Sequence, residues 1–320
     1  MAVHAFIFPG QGSQSVGMGR DLGSAFAAAR EVFEEVDETL GQKLSKLMFE
    51  GPPEDLTRTE NAQPALMAHS MAVLRVLERE GGFVLADRAV LVAGHSLGEY
   101  TALAAAGSFT TGGAARLLRL RGQAMQKAVP AGVGAMAALL GAEMALALEI
   151  CAEAGGVDAN GMREIVEPAN DNGGGQVVIS GHKAAVERAI EISKTRGVKR
   201  GLLLPVSAPF HCALMAPAAD AMRDALGRTP PVSPVVPLVA NVTAAKETDP
   251  DTIAGLLVAQ VTATVRWRES VLAMVAMGVD SFIEIGAGKV LSGLIRRIAP
   301  DAATASVGTP AEIEALLKVL

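Results

Sequence analysis

The stretch Gly94-His95-Ser96-Leu97-Gly98 constrains the fold more than any other part of the chain, because it requires a strand, a tight turn and a helix in that order. An apolar run over residues 89–93 precedes it, and small side chains typical of a helix follow over residues 99–106. Glycines on both sides of the serine allow a turn tight enough to expose the hydroxyl. The pattern predicts a nucleophile elbow with Ser96 at its tip; an ordinary glycine–serine turn is the alternative.

Short apolar strands alternate with helices over most of the chain. The first strand, residues 5–8, runs directly into the glycine-rich turn Pro9-Gly10-Gln11-Gly12-Ser13-Gln14. This alternation predicts an α/β fold with a mostly parallel sheet, in which functional sites gather at the carboxyl ends of the strands. The other elements predicted for this layer are helices at about 25–40, 64–80, 253–260 and 269–277, strands at 89–93, 235–240 and 281–285, and a helix that opens at Gly286-Ala287-Gly288.

Residues 129–204 have a different pattern. Their strands and helices follow the order βαββαβ, which is the ferredoxin-like pattern. We therefore predict a small ferredoxin-like domain inserted into a larger α/β domain made of residues 1–128 and 205–320. Its predicted strands cover residues 134–140, 164–168, 176–180 and 201–204, and its predicted helices cover residues 143–154 and 183–196.

The composition argues against several classes of protein. A net charge of −6 and an aromatic content of 3% disfavour a basic face or stacking platforms for nucleic acid. The apolar stretches are interrupted before they reach the roughly 18 residues of a membrane span, and no secretory signal is visible. Cys151 and Cys212 are too few for a disulfide framework or a four-ligand metal site, so we expect a protein of the reducing cytoplasm.

A serine hydroxyl needs a base within hydrogen-bond reach. Among the five histidines, His211 has the most favourable setting, in the proline-containing loop that spans residues 206–212. The alternative is a structural histidine, and Cys212 is a competing nucleophile that we expect instead to be a small buried apolar residue. The predicted oxyanion donors are the backbone N–H groups of Leu97, which follows the serine, and of Gln11, unless the turn after the first strand has no further role.

Four motifs occur in a fixed order along the chain, and together they resemble a known family. They are Phe8-Pro9-Gly10-Gln11-Gly12-Ser13-Gln14, Gly94-His95-Ser96-Leu97-Gly98-Glu99-Tyr100, Arg121-Gly122-Gln123-Ala124-Met125 and Pro209-Phe210-His211. The chain resembles the malonyl-CoA:acyl carrier protein transacylases of bacterial fatty acid synthesis over essentially its whole length. The match extends to Asn170-Asp171-Asn172, Asn241-Val242-Thr243, Gln260-Val261-Thr262, Val265-Arg266-Trp267 and Glu284-Ile285-Gly286. The resemblance implies an α/β-hydrolase-like core with a ferredoxin-like insert.

The resemblance also implies a catalytic role for each matching position. Ser96 carries the acyl group and His211 is the base. Gln11 and Leu97 supply the N–H groups of the oxyanion hole. Gln260 orients the histidine through its backbone carbonyl, in place of the buried acid of a Ser-His-Asp triad.

For substrate recognition, Arg121 matches the arginine that binds the malonyl carboxylate. A guanidinium suits this role because it is always charged and can pair bidentately, although the sequence without the resemblance favours a solvated helix residue like Arg116 or Arg119. Met125 and Asn170 match residues that line the site. Leu97 and Phe210 resemble the malonyl-selective pattern, and we expect Phe210 to fill the space of a methyl branch. One methyl is worth only about 1–3 kcal/mol, so we expect incomplete discrimination.

The resemblance implies two-step transfer of a malonyl group from malonyl-CoA to the phosphopantetheine thiol of acyl carrier protein, without a metal or redox cofactor. The sequence does not determine the oligomeric state, and we expect a monomer. The carrier is typically acidic, so a local basic surface is expected. Its candidate residues, which can equally be solvated charges, are Lys194, Arg196, Lys199, Arg200, Lys289, Arg296 and Arg297.

Two other functions stay open at the level of sequence. A serine hydrolase such as a thioesterase shares the elbow and the base, but an apolar acyl chain does not suit an arginine such as Arg121 at the end of its pocket. A catalytically silent docking protein is the other alternative, and the intact set of serine, histidine and arginine argues against it.

Overall fold

The computed structural model describes residues 2–157, 161–206 and 208–318. The strands are β1 (His4–Phe8), β2 (Leu91–Gly94), β3 (Gly134–Leu140), β4 (Gly156–Val157), β5 (Arg163–Glu164), β6 (Val166–Asp171), β7 (Gln176–His182), β8 (Arg200–Leu203), β9 (Leu238–Val239), β10 (Lys246–Glu247), β11 (Ser281–Ile285) and β12 (Ala303–Val307). The helices are α1 (Arg20–Ala25), α2 (Ala27–Leu40), α3 (Leu44–Glu50), α4 (Pro53–Thr57), α5 (Thr59–Gly81), α6 (Leu85–Arg88), α7 (Leu97–Ala105), α8 (Thr111–Lys127), α9 (Met144–Ala154), α10 (Lys183–Thr195), α11 (Ala216–Arg228), α12 (Pro250–Gln260), α13 (Trp267–Ala276), α14 (Val290–Ile298) and α15 (Pro310–Leu317), with a 3₁₀ turn at Ala213–Met215.

The larger sheet of the described residues has six strands in the order β10-β9-β2-β1-β11-β12. Five of these strands run parallel to one another, namely β9, β2, β1, β11 and β12. The edge strand β10 is antiparallel to β9. The central strand β1 is buried over residues 5–8 and reads as a continuous apolar run, as expected for a parallel strand covered on both faces. The predicted α/β class with a mostly parallel sheet is confirmed.

Helices cover both faces of this sheet. Phe6 and Phe8 belong to a core shared with α5 and α8, whereas Ile7 belongs to a second core that contains Trp267 of α13 and Leu294 of α14. This alternation follows the two-residue period of a strand. Because both faces are buried, polar side chains are presented by the loops at the carboxyl ends of the strands.

The smaller sheet is antiparallel and has the order β6-β7-β3-β8. Helices α9 and α10 pack with it around a third apolar core, which contains Ile150, Val186 and Ile179. This is the strand order of a ferredoxin-like unit, so the βαββαβ element order predicted from the sequence is confirmed. The two short strands β4 and β5 of this segment pair with each other antiparallel. The exact domain boundaries, 128/129 and 204/205, stay a prediction.

Several elements differ in extent from their predictions. The helix predicted over 25–40 is α2, which begins at Ala27 after the extended residue Phe26; the short helix α1 before it was not predicted. Helix α5 begins at Thr59, five residues earlier than predicted, and so includes Pro64. The strand predicted over 235–240 is reduced to β9; the prolines on its amino-terminal side, at 234 and 237, lack the N–H donors that a longer strand needs.

The carboxyl-terminal elements β12 and α15 were not predicted. Strand β12 has the sequence Ala-Thr-Ala-Ser-Val and is an edge strand of the larger sheet, where a weakly apolar segment is sufficient. The last predicted helix, α14, begins only at Val290, after two glycines with positive φ. No helix within residues 2–157, 161–206 and 208–318 is long and apolar enough to cross a membrane.

Two of the helices that carry site residues begin at capping side chains. The hydroxyl of Thr110 accepts a hydrogen bond from the backbone N–H of Gly113 at the start of α8. The carboxylate of Asp249 accepts from the N–H of Thr252 at the start of α12. Such caps satisfy donors that have no partner within the helix and define where it begins. They therefore help to set the positions of residues farther along α8 and α12.

Candidate active site

Ser96 lies at the tip of the turn between β2 and α7, in a sparsely populated backbone conformation with φ 54° and ψ −108°. The flanking glycines are required by close packing. A Cβ on Gly98 would lie 2.2 Å from the carbonyl oxygen of Phe8, and one on Gly94 would lie 1.9 Å from the backbone of Gly98. The elbow is therefore held by the contact of α7 with the ends of β1 and β2, and it places the serine hydroxyl at the carboxyl edge of the sheet.

His211 lies beside the serine, after the smaller sheet in the chain. Its Nε2 is 2.7 Å from Ser96 Oγ, and its Nδ1 is 2.8 Å from the carbonyl oxygen of Gln260. Because a carbonyl only accepts hydrogen bonds, Nδ1 carries the ring proton, and Nε2 of the neutral ring accepts from the serine hydroxyl. This is the geometry of a general base and a nucleophile.

The charge state of His211 follows from its surroundings. Burial lowers its pKa to about 3, the Arg121 guanidinium adds to the lowering, and the hydrogen bond to the carbonyl of Gln260 opposes it. The imidazole is therefore neutral at neutral pH. A neutral ring is the form that can accept the serine proton.

Arg121 projects from α8 into the same site and is 1% exposed, so it is not a solvated helix residue. Its Nη1 donates to Gln63 Oε1 at 2.7 Å, and its Nη2 donates to Gln260 Oε1 at 2.9 Å and to Ser96 Oγ at 3.1 Å. The guanidinium also lies 5.6 Å from the centroid of the Tyr100 ring. All the hydrogen-bond acceptors named here are neutral, and among the described residues no carboxylate is in hydrogen-bond contact with the buried cation.

Gln260, at the end of α12, makes hydrogen bonds to several of the residues around the serine. Its side-chain Nε2 donates to Glu99 Oε2 at 2.7 Å and to the carbonyl oxygen of Ser96 at 3.0 Å, while its Oε1 accepts from Arg121. Glu99 Oε2 also accepts from the backbone N–H of Asn241, whose Oδ1 accepts from the N–H of Ser96. A network of buried polar side chains, those of Gln260, Glu99 and Asn241, therefore stabilises the elbow.

Sequence reasoning assigned no role to Glu99 or Asn241, although both lie in the matching motifs. Both are essentially buried. Burial raises the pKa of Glu99 to about 7, against the hydrogen bonds from Gln260 and Asn241 and the charge of Arg121. The signal that could have identified Glu99 is an acidic residue in an otherwise uncharged helix directly after the elbow.

The two predicted oxyanion donors lie on opposite sides of the serine in the chain. Leu97 is the first residue of α7, so its backbone N–H has no acceptor within the helix. Gln11 lies in the turn after β1, and its side-chain Oε1 accepts from Thr59 Oγ1 at 3.0 Å. Both residues line the same cavity as the serine. Their role as oxyanion donors stays a prediction.

A cavity of about 620 Å³ opens over the serine. Ser96, His211 and Arg121 face it together, and Asn170 of β6 lines it from the smaller sheet. Its apolar wall includes Met125, Met136, Val178, Leu204, Val206 and Phe210. The structure thus brings every predicted site residue to this cavity except Gln260, which is buried beneath it. The cavity lies between the two sheets, so both parts of the fold shape it.

Two residues adjacent to the serine and the histidine in the chain, His95 and Cys212, make hydrogen bonds elsewhere. The His95 side chain turns away from the serine, and its Nε2 lies 2.9 Å from Asn172 Oδ1. Cys212 donates its S–H to the carbonyl oxygen of Pro209, and burial raises the pKa of its thiol to about 11. It is therefore a neutral thiol at neutral pH. No group of three or more His, Cys, Asp and Glu side chains in the described part of the chain is arranged to hold a metal ion.

This arrangement can activate a serine hydroxyl toward a carbonyl carbon, which is the chemistry of enzymes that transfer or hydrolyse acyl groups. Comparison with known proteins distinguishes between these classes. The model of the acyl transferase domain family matches residues 5–310. The chain belongs to the acyl transferase family, and within it to the malonyl CoA-acyl carrier protein transacylases. The family predicted from the sequence and its enzyme class, an acyltransferase, are confirmed.

The relatives match over their full length. The chain is 45% identical to the malonyl CoA-acyl carrier protein transacylase of Escherichia coli (strain K12), with 100% of both chains covered. It is 45% identical to the enzyme of the same name from Bacillus subtilis (strain 168), covering 100% of this chain and 98% of the relative.

Solved structures show the same agreement. An acyl-carrier-protein-S-malonyltransferase from Bartonella henselae is 55% identical with a TM-score of 0.94, and 99% of each chain is covered. A type II PKS acyl-carrier protein in complex with its malonyl-transacylase gives a TM-score of 0.93 at 42% identity, again with 99% of each chain covered.

Proposed function

We propose that this protein transfers a malonyl group from malonyl-CoA to the phosphopantetheine thiol of acyl carrier protein through an ester on Ser96. The observation that carries the proposal is the buried guanidinium of Arg121, which lies 3.1 Å from the serine hydroxyl and has neutral acceptors around it. A buried cation is costly unless it is paired with an anion. A substrate carboxylate supplies that anion.

The length of the acyl group fits this position. In a malonyl thioester, one methylene separates the carboxylate from the carbonyl carbon under attack. A guanidinium that already contacts the nucleophile's oxygen is therefore at the right range to hold that carboxylate during attack. The planar fork of an arginine matches a carboxylate bidentately, and its low exposure strengthens the interaction.

In the first half-reaction, Ser96 Oγ attacks the thioester carbon while its proton passes to Nε2 of His211. The tetrahedral intermediate carries a negative oxygen, which the backbone N–H groups of Leu97 and Gln11 stabilise. The intermediate then collapses, the C–S bond breaks, and the imidazolium returns its proton to the CoA thiolate. The products are the malonyl ester of the serine and free CoA.

The second half-reaction reverses these steps with another thiol. Nε2 of His211 takes the proton of the phosphopantetheine thiol, whose sulfur attacks the malonyl ester. Collapse of the intermediate breaks the ester C–O bond and returns the proton to Ser96. CoA and the carrier are thus both substrates, and ping-pong kinetics follow.

The volume and the walls of the rest of the cavity match the length and shape of the proposed substrate. A volume of about 620 Å³ with one apolar wall accommodates a pantetheine arm as well as the acyl group. Phe210, in that wall, occupies space next to the base and disfavours a methyl branch on the acyl group. The expected discrimination is about 1–3 kcal/mol, which is incomplete.

The carrier is proposed to dock on basic residues at the mouth of this cavity. Of the candidates from the sequence, exposed Lys289 and Arg297 line it, in and near α14. Lys289 is ion-paired with Glu312 at 3.0 Å, whereas Arg297 donates to Gln176 Oε1 at 3.3 Å. Lys194 and Arg196 do not line the cavity and are ion-paired with glutamates of α9 and α10. A related malonyl-transacylase has been solved with an acyl-carrier protein, which supports a carrier as the partner here.

The test is intact-protein mass spectrometry after brief incubation with malonyl-CoA, followed by addition of pantetheinylated carrier protein. We expect one malonyl adduct, absent from Ser96→Ala, that moves to the carrier. Arg121→Ala should slow its formation by about 10- to 100-fold, the worth of a charged hydrogen-bond pair. Arg116→Ala is the matched control, because Arg116 is an exposed arginine of the same helix.

Two outcomes would contradict the proposal. An adduct that decays to free malonate equally fast with and without carrier would make the protein a hydrolase. If no adduct forms on a folded protein, the catalytically silent docking function takes its place.

A further inference from the structure

Two buried polar side chains of α5 connect the arginine to the turn that follows β1. Thr59 and Gln63 are 0% and 1% exposed, and their four-residue separation puts them on one face of the helix. Arg121 Nη1 donates to Gln63 Oε1 at 2.7 Å, and Gln63 Nε2 donates to Thr59 Oγ1 at 2.9 Å. Thr59 Oγ1 in turn donates to Gln11 Oε1 at 3.0 Å. These contacts form a continuous chain of hydrogen bonds from the arginine to the turn.

The direction of each hydrogen bond in this chain is determined by the first one. A guanidinium has only donors, so the side-chain oxygen of Gln63 must face Arg121 and its NH₂ group must face Thr59. The threonine hydroxyl accepts from Gln63 and donates its one proton to the amide oxygen of Gln11. The amide oxygen of Gln11 is therefore held toward α5. Each side chain has a single orientation as long as Arg121 is in place.

Close packing of α5 against α8 makes the chain possible. Gly122 follows the arginine, and a Cβ there would lie 2.7 Å from the carbonyl oxygen of Thr59 and 2.5 Å from the Cα of Glu60. The glycine lets the amino-terminal end of α5 approach the backbone of α8 directly. Thr59 is consequently close enough to both the arginine's partner and the turn to link them.

We infer that Thr59 and Gln63 are positioning residues that couple the carboxylate-binding guanidinium of Arg121 to the oxyanion turn at Gln11. The inference rests on the proposed function, because that function assigns the malonyl carboxylate to Arg121 and the oxyanion to the turn. The chain of hydrogen bonds makes the position of the oxyanion donor depend on the position of the arginine. When an acyl group with a carboxylate binds to Arg121, the turn at Gln11 is therefore already in the position that the reaction requires.

The inference predicts a specific kinetic effect of Thr59→Val, which keeps the shape of the side chain and removes the hydroxyl. The maximum rate constant for acylation of Ser96 by malonyl-CoA should fall about tenfold, the worth of one buried hydrogen bond. The half-saturating malonyl-CoA concentration should change by less than about twofold, because oxyanion contacts act mainly in the transition state. Rapid-quench mass spectrometry measures both quantities.

Two variants separate this role from a merely structural one. Thr59→Ser retains the hydroxyl and should restore the acylation rate. Thr101→Val makes the same change at another buried threonine, whose hydroxyl has no hydrogen-bond partner among the described residues, and should leave the rate unchanged. A folded Thr59→Val with the wild-type rate, or a Thr59→Ser as slow as Thr59→Val, overturns the inference.

Gln63→Met keeps the inference testable if Thr59→Val does not fold. This substitution removes the hydrogen bonds of Gln63 to both Arg121 and Thr59. It should therefore raise the half-saturating malonyl-CoA concentration and also lower the rate constant for acylation. Wild-type values for both would overturn the inference.

Coupling itself is tested in an Arg121→Ala background. There Gln63 has lost the donor that orients its amide, so adding Thr59→Val should change the remaining acylation rate by less than about twofold. A further tenfold fall would show that Thr59 acts independently and would overturn the coupling. Failure of the proposed function is distinguishable, because in that case the wild-type protein forms no malonyl adduct that moves to the carrier.

Discussion

At the residue scale, Gln260 performs two tasks with two different groups. Its backbone carbonyl orients His211, and its side chain lies between Arg121 and Glu99. A carboxylate in the place of that carbonyl would also orient the histidine, but it would add a negative charge near the guanidinium. A neutral acceptor orients the ring and leaves the positive charge available for a substrate anion.

Glu99 gives a pH-dependent prediction at the same scale. Burial raises its pKa from 4.5 to about 7, so the folded protein retains a proton that the unfolded chain releases between these values. Its contribution to stability is therefore present below pH 4.5 and is lost as the pH rises through 7. Relative to Glu99→Gln, the wild type should lose about 3 kcal/mol of unfolding free energy across this window.

Urea unfolding of both proteins at several pH values between 4.5 and 8 measures this difference. Groups that titrate identically in the two proteins cancel. A difference that is independent of pH, or one that increases with pH in favour of the wild type, contradicts the assignment.

At the scale of elements, the site is assembled where β1, β2 and α7 meet. Residue Phe8 pairs with Gly94 across these two parallel strands, so the turns that follow them emerge side by side. Helices α8 and α12 and the loop before α11 then add their side chains from different directions. The elbow turn is held by the close backbone packing of Gly98 against Phe8 and by the side-chain hydrogen bonds of Asn241 and Gln260 to the backbone of Ser96.

Gly98→Ala tests that packing. The added Cβ would lie 2.2 Å from a backbone oxygen, so the unfolding free energy should fall by about 1–3 kcal/mol, and the displaced elbow should slow acylation of Ser96. The matched control is Gly255→Ala in α12, where a Cβ meets no atom within 4 Å. It should raise stability by about 0.5–1 kcal/mol. Denaturant unfolding measures the expected decrease in unfolding free energy for Gly98→Ala and the expected increase for Gly255→Ala. Equal effects of the two substitutions would show that the elbow is not tightly packed.

At the scale of the whole molecule, the net charge is −6, yet the cavity mouth carries exposed cations. On the proposed function, we expect an acidic carrier to be repelled by the average surface and attracted at the cavity mouth, and this difference to orient its approach. We expect Arg297→Glu to raise the apparent KM for carrier about tenfold at low salt, with little effect on the KM for malonyl-CoA.

Lys194→Glu is the matched control for this docking prediction. Lys194 is also an exposed cation, but it is paired with Glu191 on α10. Steady-state kinetics with varied carrier and varied salt measure the effect, which should diminish as salt screens the charges. Equal KM values for the two variants would exclude the mouth of the cavity as the docking surface.

The sequence by itself determined the features that depend on neighbouring residues. The apolar run, the two glycines and the small helical residues around Ser96 predict a strand, a turn and a helix, because each depends on local backbone preferences. The same is true of the βαββαβ order within residues 129–204. Local patterns did not predict the short edge strand β12, where packing against β11 replaces a strong preference of its own.

Only the tertiary structure decided the chemistry around the serine. His211, Arg121 and Gln260 come from three distant segments and meet Ser96 because sheets and helices pack in one way. Burial of Arg121, which local sequence could not distinguish from a solvated arginine, follows from that packing. So do the raised pKa of Glu99 and the hydrogen-bond chain through Thr59. Hydrogen bonds and pKa values depend on distances of a few ångströms between residues far apart in the chain, and those distances are set by the packing of the whole fold.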